Sequence, residues 1–75
     1  MMYLSDIFVD EACKILEFKK DNKTVQRLKK MGLTVNVKVK VIRLGLFNDP
    51  ILLKVRDFML AIRKEEAKNI MVEKI

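Results

Sequence analysis

The sequence predicts an all-β domain, a small SH3-like barrel of about five antiparallel strands with one short helix inserted early. Three observations carry that expectation. Val37-Lys38-Val39-Lys40-Val41 alternates apolar and polar residues with a period of two. Two more short apolar runs, Ile51 to Val55 and Phe58 to Ile62, are separated only by Arg56-Asp57. Val25, Leu28 and Met31 recur at steps of three, which is helical spacing. Closing such short strands into a barrel hides edges that a small open sheet would expose.

The elements follow in chain order. Leu4-Ser5-Asp6-Ile7-Phe8 predicts a single helical turn capped by Ser5 or Asp6. Ala12 to Phe18 reads as the first strand, with Cys13 and Ile15 on one face, Lys14 on the other, and a bulge where Leu16 follows Ile15. Asp21-Asn22-Lys23 is a polar loop. Thr24 is the expected N-cap of the helix, whose cations Arg27, Lys29 and Lys30 gather where the macrodipole favours them. Gly32 supplies the left-handed residue that ends it, and Leu33 packs back onto the stop. After the alternating strand, Asn48-Asp49-Pro50 makes a turn; Asp49 is expected to bond nearby backbone amides and Pro50 to fix φ at a strand start. A turn over Lys64 to Asn69 leads into a closing strand, Ile70 to Glu73.

Length and composition narrow the function. Seventy-five residues, 1–75, make one domain that must hold itself together by apolar packing. Cys13 is the only cysteine and histidine is absent, so neither a disulfide nor a zinc staple is expected. Half the residues, 51%, are hydrophobic, more than so small a body can enclose, which points to apolar side chains at the surface. No apolar run approaches the ~20 residues of a membrane span. The opening Met1 to Asp10 lacks a basic n-region and is interrupted by Asp6 and Asp10, so no signal peptide and a cytoplasmic setting are expected. The net charge of +6 favours anionic partners, although lysines scattered from Lys14 to Lys74 also serve solubility.

Arg27-Leu28-x-x-Met31-Gly32-Leu33, then Asp49-Pro50-Ile51, then Val55-Arg56-x-Phe58-x-Leu60-x-Ile62-Arg63-x-Glu65-Glu66-Ala67, together with the Leu4-Ser5-Asp6 opening, resembles the FeoA family. Those proteins are small cytoplasmic components of bacterial and archaeal ferrous-iron uptake, and the likeness spans nearly the whole chain. It implies glycines at four turns where this chain has Asp10, Asn36, Asn48 and Asp57, the residue types best able to replace glycine at left-handed φ. It also implies proline where Val35 stands. For function, it implies a non-enzymatic accessory that docks on the cytoplasmic, GTPase-containing part of an FeoB-type membrane transporter and modulates it.

Candidate partner-binding residues are Arg27, Leu28, Lys30, Met31, Gly32 and Leu33 at the helix end, Leu46 and Phe47 at a hairpin tip, and Met59 on a strand face. Each has a plainer alternative. Leu28 and Leu33 also suit anchors of the helix on the barrel, and core packing suits Met31 and Met71. Arg27 offers a guanidinium fork to a partner carboxylate or phosphate, or braces Asp49 or Glu66 within the fold. Leu46 and Phe47 either tuck under the barrel or project. Met59 points away from Phe58 and Leu60 and is expected at the surface. Catalytic and metal sites are expected to be absent, cofactors likewise: no nucleophile–base pair can be assembled, and Glu65-Glu66 is explained by the start of a helical turn. Iron is not expected to bind tightly, because no carboxylates have chelating spacing. Cys13 reads as a small core residue. Nucleic-acid binding competes weakly, since the aromatics lack the spacing of a stacking platform. The interaction domain of a metal-dependent repressor is a further alternative, and association with copies of itself would use the apolar surplus. Direct membrane insertion is not expected.

Overall fold

The computed structural model describes residues 2–75. In chain order it runs β1 (Met2–Tyr3), a 3-10 turn (Leu4–Asp6), β2 (Ala12–Phe18), α1 (Lys23–Lys30), β3 (Lys38–Leu44), a second 3-10 turn (Leu46–Asn48), β4 (Ile51–Val55), β5 (Phe58–Ile62), α2 (Lys64–Ala67) and β6 (Ile70–Lys74). All pairings are antiparallel in the order β1-β6-β2-β3-β4-β5. The sixth strand beyond the expected five is the two-residue β1, which pairs Met2 with Val72 and Tyr3 with Met71. Two residues are too few to show a period, so no pattern could reveal it.

The sheet curls around one core. Leu4, Cys13, Ile15, Leu28, Leu33, Val39, Val41, Leu53, Val55, Ile62 and Ile70 are enclosed almost completely, and among the described residues no polar side chain is buried with them. The alternation in β2 and β3 sets this pattern: Cys13, Ile15, Val39 and Val41 point in, Lys38 and Lys40 point out. Two bulges bend the ladder. One lies between Ile15 and Glu17 against β6, as expected, and the other between Val41 and Arg43 against β4. The second carries β3 on to Leu44, three residues beyond the alternating run, because Ile42 in the bulge breaks the period that made the strand visible.

The helix starts one residue before the expected cap. Asn22, not Thr24, is the N-cap: its Oδ1 accepts the Val25 N–H at 2.9 Å, while Thr24 already lies inside the first turn. The far end is as expected. Leu33 N–H donates to Leu28 C=O and Gly32 N–H to Lys29 C=O, both at 3.0 Å, with Gly32 at φ 104. This pair of hydrogen bonds closes the helix, and Leu28 and Leu33 both join the core cluster. Asp6 caps the first 3-10 turn by accepting the Tyr3 N–H at 2.9 Å.

Three of the four Asn/Asp positions expected at left-handed φ are there: Asp10 (71°), Asn36 (74°) and Asn48 (64°). Asp57 is not. In the two-residue loop between β4 and β5 the positive φ falls on the first position, so Arg56 takes it at 54°. Phe47, at 58°, is a second unforeseen case.

Candidate protein-docking site

The candidate residues separate into three groups. At the end of α1, Leu28 and Leu33 are 1% and 0% exposed, which assigns them to the core and removes them from any contact surface. Met31 goes the other way: it is exposed rather than packed inside, because the stop at Gly32 turns the chain before Met31 reaches the barrel. Met71 is half-buried. Gly32 is covered by the ring of Phe58, and Lys30 is solvated. Phe58, expected on the core face of β5, is therefore only partly enclosed, its ring resting on the helix end. Arg27 reaches Glu66 in a long, largely exposed ion pair, Nη2 to Oε2 at 3.8 Å, and the neighbouring Lys29 lies 5.1 Å above the Phe18 ring.

The second group is the tip between β3 and β4. Leu46 and Phe47 are 80% and 84% exposed, so these side chains project. The loop beneath them is tightly built. A β-carbon on Gly45 would stand 2.4 Å from the Asp49 carbonyl oxygen, a distance only glycine permits. Gly45 N–H donates to Pro50 C=O at 2.8 Å, and Asn48 N–H donates to Gly45 C=O at 2.9 Å. Asp49 does not bond nearby amides as expected. Its Oδ1 accepts the Lys64 N–H at 3.0 Å, fifteen residues away, and lies 3.4 Å from Arg63 Nε. The Lys64 bond, followed by the Arg63 charge, holds the Asp49 carboxyl below its ordinary pKa.

A cleft of about 250 Å³ beside the tip is lined by Phe8, Leu44, Asn48, Ile51 and Lys64 among others. Phe8 is 69% exposed, so a third large apolar side chain stands in water, across this cleft from Asn48. The sequence reading missed it. The available signal was the Phe8-Val9 pair standing directly before the left-handed turn at Asp10, where no element could enclose it.

Met59, the last candidate, is exposed on the outer face of β5, as expected. The helix end and the tip do not meet. Gly32 contacts Phe58, which pairs with Val55 at one end of β4, whereas the tip joins β4 at Ile51, about 13 Å along the strand. α2 links them: Glu66 reaches Arg27, and Arg63 with Lys64 grips Asp49. Among the described residues no three His, Cys, Asp or Glu side chains converge as a metal cluster would require. Burial pushes the Cys13 thiol up to about 11, and the Glu11 carboxylate adds to that shift, so the sulfur is neutral at ordinary pH.

The chain matches the FeoA domain model over residues 2–74. It belongs to the FeoA family. That family is linked to ferrous iron transport. The FeoA protein of Chlorobium tepidum superposes with a TM-score of 0.92 at 27% identity, over 99% of this chain and 70% of that one. The zinc-complexed FeoA of Stenotrophomonas maltophilia, described as a procaryotic SH3 domain protein, gives a TM-score of 0.82 at 22% identity, over 97% and 91% of the two chains. This agrees with the SH3-like barrel seen here. A manganese-dependent transcriptional repressor shares the fold at 12% identity and a TM-score of 0.87, with 99% of this chain matching 41% of the repressor. A search of curated proteins gives no significant match. Among the described residues of this FeoA chain, no helix is long and apolar enough to cross a membrane.

Proposed function

We propose that this FeoA chain is a non-enzymatic accessory that docks through its Leu46–Phe47 tip onto the cytoplasmic, GTPase-containing part of an FeoB-type transporter and modulates it. One observation carries the reading: two large apolar side chains are displayed almost completely in water on a loop whose backbone is fixed. Exposed side chains of that kind cost solubility and return nothing within the fold. Rigid aromatic anchors are what interfaces use, because little conformational entropy is lost when they bind. The Gly45 close approach and the Asp49–Lys64 bond preorganise the tip, and the exposed Phe8 lines the cleft beside it. The charge of Lys64, which lines the cleft beside the tip, favours an acidic rim on the partner.

Calorimetric titration with the isolated cytoplasmic domain of the cognate transporter tests this. Binding that drops at least about tenfold in Phe47→Ser, while the thermal melt is unchanged, supports the tip as the anchor. Equal binding by wild type and Phe47→Ser, or none from a folded wild type at high micromolar concentration, rejects it.

A further inference from the structure

Two rows of cross-strand neighbours run over the outer face of the sheet. In one, Glu73 on β6, Lys14 on β2 and Lys38 on β3 lie side by side, and Lys14 Nζ reaches Glu73 Oε2 at 3.8 Å. In the next, Ala12, Lys40, Lys54 and Met59 lie side by side on β2, β3, β4 and β5. That second row holds no acid. Lys40 and Lys54 stand directly opposite each other, an arrangement that like charges disfavour.

Lys14, Lys74, Arg27 and Arg63 each have a carboxylate partner. Lys38, Lys40, Lys54 and Arg56 are all exposed, and among the described residues no carboxylate is paired with any of them. They surround a shallow depression of about 300 Å³ that also includes Ala12 and Ile75.

We infer that this face binds a membrane surface carrying anionic phospholipid headgroups. Four unneutralised cations on one face supply the attraction, and an anionic surface relieves the repulsion between Lys40 and Lys54. Lysine predominates, and a lysine is a point charge suited to a diffuse anionic surface rather than a fork for base edges. The rows carry no aromatic ring on which a nucleobase could stack. Their apolar neighbours, Met59 and Ile75, are exposed and aliphatic, the type of side chain that enters the headgroup boundary. The face lies toward the Arg56 end of the β3–β4 hairpin and the Leu46–Phe47 tip at the other, so both can be occupied together. The inference stands on charge placement and does not depend on the docking reading.

Flotation of the full chain with vesicles tests it, comparing equal parts phosphatidylglycerol and phosphatidylcholine against phosphatidylcholine alone. The expected result is binding to the anionic vesicles only, lost near about 0.5 M salt. Lys40→Gln/Lys54→Gln should weaken it roughly thirtyfold, at about a wild-type melting temperature. Lys40→Arg/Lys54→Arg should restore it, and Phe47→Ser should leave it unchanged. Equal binding to neutral vesicles overturns the proposal. So does undiminished binding by the glutamine variant, or retention of a random oligonucleotide by a chain that ignores anionic vesicles.

Discussion

The Phe58 ring lies so close over Gly32 that its Cζ is 3.0 Å from where a β-carbon on Gly32 would stand. The helix stop and the first residue of β5 are therefore fitted to each other. Gly32→Ala meets two obstacles, a φ of 104 and that ring, and should lower stability by about 1–3 kcal/mol. In a Phe58→Ala background the same change should cost less, since the ring is gone and only the backbone strain remains. Urea denaturation of the four proteins gives the coupling; strict additivity would show that the ring contact is irrelevant.

Val35→Pro should stabilise the fold. Thr34 to Val37 form a turn closed by Val37 N–H to Thr34 C=O at 3.2 Å, with Asn36 at φ 74 in the third position. That is the pattern in which proline is favoured second. Val35 is exposed, and its N–H takes part in no backbone bond among the described residues, so proline removes nothing. A gain of about 0.4–1 kcal/mol in the urea midpoint analysis is expected. A loss would show that the turn is not of this type.

Glu66 has two bonds of unequal worth. Its Oε1 accepts the Arg63 N–H at 2.9 Å and caps α2, while Oε2 stands 3.8 Å from an Arg27 that is largely in water. The ion pair is weak at such a distance and exposure. Glu66→Ala should therefore cost about 1 kcal/mol through the lost cap. Glu66→Gln and Arg27→Ala should each change stability by less than about 0.5 kcal/mol. A Glu66→Gln as damaging as Glu66→Ala would reverse that ranking.

Acid should weaken the fold in a defined window. Glu11 is held below its ordinary 4.5 by Lys74 and then by the Phe8 N–H, and Asp49 below its ordinary 3.8 by the Lys64 N–H and then by Arg63. Both folded values lie under the unfolded ones, so the stabilisation is fully present above about pH 5 and lost as pH falls through the folded values. Thermal midpoints measured from pH 7 down to pH 2 should be level and then decline, and Asp49→Asn should decline less steeply. An identical slope in that variant would remove Asp49 from the account.

Cys13 should resist thiol reagents. It is fully enclosed, and a thiol titrating at about 11 is almost wholly protonated at neutral pH. Labelling by a disulfide reagent should be slow in buffer and accelerate in step with urea unfolding. Fast labelling of the native chain would contradict its burial.

The strands with a clean period were legible: Val39 and Val41 inward against Lys38 and Lys40 outward left no other arrangement. So was the Gly32-Leu33 stop, because a left-handed glycine followed by a leucine has few other uses there. What escaped depended on distant partners. No local rule says that Asp49 will find the amide of Lys64, or that Phe8 will stand beside Asn48. Met31 followed helical spacing yet ended in water, since spacing gives a side of the helix and not its last point of contact. Phe47 broke local preference outright, taking a φ of 58 within the tight loop between Gly45 and Asp49.

In the sheet, β6 occupies the slot between β1 and β2. The first two strands thus have no bond to each other, and residues 70–74 complete the ladder by pairing with both. While the ribosome is still adding that stretch, Met2–Tyr3 and most of β2 are bare on the side that Ile70–Lys74 will fill. A chain without that strand leaves the facing edges of β1 and β2 unpaired, an open flank of the kind that invites foreign strands.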